Sequence, residues 1–290
     1  LVGMTTTMTT TMTTPAIRGL VLERLHETLG EKIQLEWSER YILAMSSGII
    51  PGLPSVWSGN TMTDLEADLM MDRLLVAYDL ANAFQYLHDR KIVYRDVKTE
   101  NIGFDGDGNV KLFDFGLAKT LHPKLRATGN DDGSVLYHLT ARTGTFPYMA
   151  PEVACKLPYN ESCDVFSFSI LLWEMLALEC AFASVHSRRD FYFQISIGGQ
   201  RPPIREQQWP LRTQQLMKEA WSSNIQERPS FATIATQLRA DLTDLSTNAS
   251  TMTTTTTTTS IGNNATTTTA NAHTKNFMAE SSGRSVLDWW

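Results

Sequence analysis

The sequence predicts a mixed α+β chain, mainly helical, with few and short strands. Three observations carry this. Around Asp105-Gly106-Asp107-Gly108, the apolar runs 102–104 and 110–113 flank Asp-Gly pairs, which supply the positive φ of a tight hairpin. Further upstream, Leu74, Ala77, Tyr78, Ala81, Phe84 and His88 keep the three-and-four spacing of one helix face. The most apolar run, residues 166–185, contains Glu174 and Glu179, so it reads as a buried helix rather than a membrane span.

Composition bounds the function. The 290 residues give room for one large domain or two small ones, and 42% hydrophobic content suffices for a substantial core. A net charge of -6 gives no global attraction for nucleic acid or an anionic membrane surface. Cys155, Cys163 and Cys180 form no C-x-x-C pair; this odd, sparse set fits a reducing cytoplasmic or nuclear compartment, with buried thiols expected. The six histidines are scattered without metal-ligand spacing. The N-terminus is Thr/Met-rich, unlike a secretory signal, and it begins with Leu1, as a fragment would.

Taken in order, the elements read as follows. Residues 5–14 repeat Thr and Met; threonine is a poor helix former, so a flexible low-complexity insertion is expected. Residues 19–25, "GLVLERL", read as a buried strand running into a polar linker. A short helix is expected over about 28–40, then a Gly/Pro/Ser-rich loop insertion over 41–62. Thr63-Asp64-Leu65-Glu66 is a capping box that opens the long helix. Pro229 and Ser230 start a final helix with Phe231, Ile234, Ala235 and Leu238 on its core face. Beyond it, the Thr-rich residues 244–290 lack the apolar content to fold and are expected to be a disordered tail.

The chemistry concentrates in "VYRDVKTENIGFDGDGNVKLFDFG", residues 93–116. A calcium loop starting at Asp105 fails twice: its sixth place is Val110 instead of glycine, and its twelfth is Gly116 instead of glutamate. Asp96, Lys98, Asn101 and Asp114 cannot be assigned to that turn. Tyr94-Arg95-Asp96-Val97-Lys98-Thr99-Glu100-Asn101 fits H-R-D-x-x-x-x-N with tyrosine in the first place. Asp114-Phe115-Gly116 matches D-F-G, and Ala150-Pro151-Glu152 matches A-P-E. A lone D-F-G signals little. Three motifs in the right order, joined by a hairpin, are specific.

On these residues the chain resembles the protein kinase family over about 17–243, and residues 1–243 are expected to form a partial kinase domain. "EAWSSNIQERPSFATIATQL" is similar to the tyrosine-kinase-like branch, with Ala220 where that branch has cysteine. The resemblance implies a protein-kinase-like fold: a mainly helical C-lobe and an incomplete N-lobe sheet. It implies an enzyme that transfers the γ-phosphate of ATP, with Mg2+, to serine or threonine hydroxyls of protein substrates. Lys98 and Thr145 resemble the serine/threonine class. Nucleic acid and membrane insertion are not implied.

By the same resemblance Asp96 is the catalytic base and Lys98 lies beside the γ-phosphate, while Asn101 and Asp114 hold magnesium. Leu22, Glu23 and Leu25 lie where the hinge meets adenine, with Leu22 as gatekeeper. Tyr94 packs under Phe115, which Gly116 follows. Residues 120–145 form a mobile activation loop; a phosphate on Thr140 or Thr143 pairs with Arg95. Glu152 and Arg228 brace the C-lobe as an ion pair, and Asp164 holds the catalytic-loop backbone. No G-x-G-x-x-G loop or V-A-I-K lysine precedes the hinge. The resemblance therefore implies that residues 1–290 alone are inactive. Its rival is a pseudokinase or scaffold that lacks the upper lobe and works by binding partners.

Overall fold

The computed structural model describes residues 24–47, 64–127 and 135–257. Strand β1 (Glu27–Thr28) leads into helix α1 (Leu29–Lys32) through a capping box absent from the sequence reading. Thr28 Oγ1 accepts from the Glu31 amide at 3.2 Å, while the Glu31 carboxylate accepts from the Thr28 amide at 2.8 Å. The helix then widens into a π turn at Ile33–Trp37, where the Ser38 hydroxyl donates to the Ile33 carbonyl at 2.7 Å.

It continues as α2 (Ser38–Ser47), seven residues beyond the expected end at Arg40 and into the region read as a loop insertion. Packing explains the extension: Ala44 is buried, and Arg40 bridges to the distant Asp72 at 2.6 Å. The rest of that insertion, residues 48–63, lies outside the described residues, as does the cap residue Thr63. So do Leu22 and Glu23 and the tract 5–14.

Helix α3 (Asp64–Asp89) buries Leu74, Ala77, Ala81 and Phe84 completely, the face its spacing marked. After it come β2 (Ile92–Val93), β3 (Ile102–Phe104), β4 (Val110–Leu112) and β5 (Lys119–Thr120). β1, β3 and β4 form one antiparallel sheet in that order, with Phe104 opposite Val110 across the Asp-Gly turn. β2 and β5 make a second antiparallel pair. Asp105 closes the turn: its Oδ1 accepts from the Asp107 and Asn109 amides, and those bonds with Lys111 hold its carboxyl down at about 2 despite burial.

The helical half follows: α4 (Pro151–Ala154), α5 (Ser162–Ala177), α6 (Arg188–Asp190), α7 (Leu211–Ala220) and α8 (Phe231–Thr257). α5 is buried from Cys163 through Ala177, and no helix among the described residues is long and apolar enough to cross a membrane. Ser169 is fully buried and returns its hydroxyl to the Phe166 carbonyl at 2.6 Å. α8 runs past residue 243 into the segment expected to be a disordered tail. Leu245 packs on the core, Asp244 takes an ion pair from Arg212 at 2.9 Å, and hydroxyls of Thr243, Ser246 and Thr247 bond preceding carbonyls. Residues 258–290 lie outside the described set. The cysteines also differ from expectation: Cys163 is buried, Cys155 half-buried and Cys180 exposed.

The core reaches the chemistry through a column of rings. Phe231 stacks on Phe84 at 5.0 Å, Phe84 meets Tyr94 edge-on at 5.7 Å, and Tyr94 meets Phe115 at 5.3 Å. Stacked and edge-to-face ring pairs of this kind add about 0.5–1.5 kcal/mol each beyond their burial. The two motif loops therefore stand on the helical core rather than on each other alone.

Candidate active site

The segment after β2 must turn sharply, and its backbone is fixed from below. Arg95 adopts φ 70°, a left-handed conformation costly for a residue with a Cβ. Asp164, fully buried at the start of α5, accepts from the Tyr94 amide and the Arg95 amide, each at 2.8 Å. Its Oδ2 also meets His88 Nε2 at 3.0 Å, tying α3 to the same point. The Arg95 side chain donates to the Leu117 carbonyl at 2.7 Å and to Tyr159 Oη at 3.4 Å. That loop is thus clamped on both sides.

This clamp presents Asp96, which is 6% exposed. Three groups converge on its carboxylate. Thr145 Oγ1 donates to Oδ1 at 2.8 Å, Asn101 Nδ2 to Oδ2 at 2.9 Å, and Lys98 Nζ lies 3.0 Å from Oδ2. Asn101 Nδ2 donates to the Asp96 carbonyl as well, at 3.0 Å, which fixes the asparagine amide against the loop. Thr145 arrives because Gly144 precedes it with φ +102°. A Cβ there would stand 2.4 Å from the Arg95 carbonyl oxygen, so only glycine lets the two strands pass.

Asp114 enters from the far side of the hairpin. It holds φ 54°, is exposed, and accepts from the Gly116 amide at 3.2 Å, opening the tight turn Phe115–Leu117. Tyr94 couples this turn to the loop that carries Asp96: its ring carries Phe115 and its hydroxyl donates to the Phe113 carbonyl. Burial first, then the carboxylates of Asp96, Asp114 and Asp164, pushes the Tyr94 phenol far above its ordinary range, so it stays a donor. Leu25 sits over Gly103 of β3, where a Cβ would come within 2.7 Å of its Cδ1.

Among the described residues no three His, Cys, Asp or Glu side chains converge as a preformed metal cage. Magnesium takes one or two protein oxygens and completes its shell with phosphate and water. The Asp114 carboxylate and the Asn101 amide oxygen are hard donors of the right kind. The residues present fit that ion.

Other expected positions fall into supporting places. Arg228 holds Glu152 with two parallel bonds of 2.7 and 2.8 Å, both side chains buried, and donates to the Ser162 and Ser222 carbonyls. Thr140 is exposed, and the Thr143 hydroxyl donates to its carbonyl at 2.9 Å. Tyr159 Oη bonds that same Thr140 carbonyl at 2.8 Å as well as Arg95. Residues 128–134, within the expected activation loop, lie outside the described set.

Sequence reading missed four groups. Gly144 and Tyr148 lie between the D-F-G and A-P-E motifs and match neither, and Tyr159 carried no motif. Glu174 was noted only as a charge in an apolar run, yet its buried carboxylate accepts from Tyr148 Oη at 2.6 Å and the Ala181 amide at 2.8 Å.

A family model described as the protein kinase domain matches residues 67–238. The chain belongs to the protein kinase family. Serine/threonine-protein kinase STY17 of Arabidopsis thaliana is 35% identical over 169 residues, covering 57% of this chain and 26% of that protein. Dual specificity protein kinase shkE of Dictyostelium discoideum is 30% identical over 213 residues, covering 70% of this chain and 29% of its own length. Serine/threonine/tyrosine-protein kinase HT1 of Arabidopsis thaliana is 30% identical over 165 residues, or 57% and 39%. The chain thus spans well under half of these relatives. They are kinases of the tyrosine-kinase-like type, which the R-P-S-F motif of the final helix indicated. Members of the family act on protein substrates and use ATP with a divalent metal.

Proposed function

We propose that this protein is a serine/threonine kinase in which Asp96, Lys98, Asn101 and Asp114 carry out phosphoryl transfer from ATP with magnesium. The observation that carries the reading is the set of three donors on one buried carboxylate, with Thr145 among them. A carboxylate held from three directions cannot swing. It is therefore aimed, which is what in-line transfer asks of a positioned base.

In this account Asp96 accepts the hydrogen bond of a substrate hydroxyl and orients its oxygen toward the γ-phosphorus. The oxygen–phosphorus bond forms as the bond to the β–γ bridging oxygen breaks, ADP leaves, and the hydroxyl proton passes to the Asp96 carboxylate. Lys98 places its ammonium beside the developing negative charge. Asp114 and Asn101 would hold magnesium, which neutralises phosphate charge. Thr145, which resembles the threonine of the serine/threonine class and donates to Asp96 at 2.8 Å, supports a serine or threonine acceptor. The retention of all four polar groups in bonded positions argues against a purely partner-binding role.

The test is phosphotransfer from γ-labelled ATP to peptides that differ only in carrying Ser, Thr or Tyr. It uses the full-length gene product, because residues 1–290 contain no G-x-G-x-x-G loop and no V-A-I-K lysine. Label on Ser and Thr, abolished by chelating the metal, is expected. Label confined to Tyr would overturn the acceptor class, and label independent of metal would overturn the roles of Asp114 and Asn101.

A further inference from the structure

One patch of the surface runs against the charge of the whole molecule. The chain carries net -6, yet Ser187-Arg188-Arg189-Asp190 sets two exposed arginines side by side. The carboxylate adjacent in sequence is already engaged: Asp190 Oδ2 accepts from the Ser187 hydroxyl at 2.7 Å, and Ser187 Oγ accepts from the Asp190 amide at 3.0 Å. Among the described residues, no ion pair engages Arg188 or Arg189.

Both lie over aromatic rings instead. The Arg188 guanidinium carbon stands 4.9 Å from the centre of Phe146, and that of Arg189 stands 5.9 Å from Phe193. A guanidinium resting on a ring is oriented by it and keeps its N–H edge for a planar, bidentate acceptor such as a carboxylate. Phe146 is itself braced by Phe191 at 5.7 Å, and Phe191 by Phe182 at 6.1 Å, so the platform under Arg188 is part of the packed structure.

Position connects this patch to the chemistry. Phe146 directly follows Thr145, whose hydroxyl bonds Asp96. Chain geometry puts the Arg188 guanidinium at most roughly 20 Å from the Asp96 carboxylate, the reach of about six residues of extended peptide. Beside it, Phe193 is 56% and Ile197 59% exposed, an apolar margin of the kind that accompanies a peptide-binding surface.

We infer that Arg188 and Arg189 form a specificity site that receives acidic side chains of the protein substrate within about six residues of the acceptor hydroxyl. This deepens the kinase reading and rests on it for the word substrate. The arginines do not touch the reacting atoms; they select and position the peptide that does.

The test is fluorescence anisotropy with the full-length gene product and peptides carrying one central serine. The panel places Glu, Gln or Lys at flanking positions on either side. Glutamate peptides should bind about three- to tenfold more tightly than their glutamine counterparts, as expected for two exposed charge pairs, and the advantage should shrink with added salt. Arg188→Glu with Arg189→Glu should reverse the preference toward lysine peptides, which also shows that the variant is folded. If that variant fails to fold, Arg188→Gln with Arg189→Gln should abolish the preference. Equal affinity for all three peptide types, or a preference unchanged in the variants, would overturn the inference. The same panel is then assayed for phosphotransfer. Acid-selective binding with transfer to no peptide removes the kinase reading and leaves the arginine site; transfer without acid selectivity does the reverse.

Discussion

We predict that Asp164 makes a large contribution to the stability of the C-lobe, although it never meets substrate. The perturbation is Asp164→Ala, compared with Asp164→Asn. The wild-type carboxylate is fully buried and accepts from two backbone amides at 2.8 Å each, with His88 Nε2 at 3.0 Å. Alanine leaves both amides without an acceptor in a dry site, at about 1–3 kcal/mol each. It also frees Arg95 from a left-handed conformation that itself costs about 1–2 kcal/mol, which partly offsets the loss. The net expectation is a destabilisation of about 1–4 kcal/mol, a large part of the stability of an ordinary domain. Asparagine retains one acceptor but turns an N–H toward the remaining amide, so it should fall between alanine and wild type. Urea unfolding followed by the fluorescence of buried Trp37, Trp173 and Trp221 reads both values. An alanine variant within about 1 kcal/mol of wild type, or an asparagine variant no better than alanine, would refute the reasoning.

Three further outcomes are expected. Arg228→Met strands the buried Glu152 carboxylate and should cost about 3–5 kcal/mol, whereas adding Glu152→Met should cost little more; additive single and double values in urea would contradict a coupled pair. Burial raises the Glu174 carboxyl to about 7 against the pull of its Tyr148 and Ala181 bonds. The folded state therefore binds a proton the unfolded state has released, and stability should decline by about 3 kcal/mol as pH rises from about 4.5 to above 7. Glu174→Gln should flatten that decline, and unchanged curvature in pH-dependent melting would count against the assignment. Tyr94→Phe keeps the ring contact with Phe115 but loses the bond to the Phe113 carbonyl, so about 1 kcal/mol of stability should go while turnover persists. Loss of all turnover in that variant would give the hydroxyl a larger role than positioning.

What the sequence made legible was what local chemistry alone decides. Asp-Gly pairs determine the hairpin, and the spacing of Leu74, Ala77, Ala81 and Phe84 determines the buried face of α3, because neither depends on a distant partner. The site residues were legible through their motif, and the structure brings Asp96, Lys98, Asn101 and Thr145 into one bonded set. Tertiary effects were not legible. The helix beyond Arg40 depends on Asp72 of another helix, and α8 beyond residue 243 depends on Arg212 and on hydroxyls that threonine supplies despite its poor propensity. Gly144 reads as any loop glycine until its approach to the Arg95 carbonyl is seen. Tyr159 joins Arg95 to Thr140 across a fold that no local pattern encodes.

The central claim is that the Asp96 carboxylate, held by Thr145, Asn101 and Lys98, is the base that aims the acceptor hydroxyl. The most direct measurement is the single-turnover rate of phosphotransfer by the full-length gene product and its Asp96→Asn variant, with nucleotide and peptide saturating. Asparagine preserves size and most hydrogen bonds but cannot take the proton, so the rate should fall about 10²–10⁴-fold while nucleotide affinity changes little. A rate within a few-fold of the unmutated protein would contradict the account.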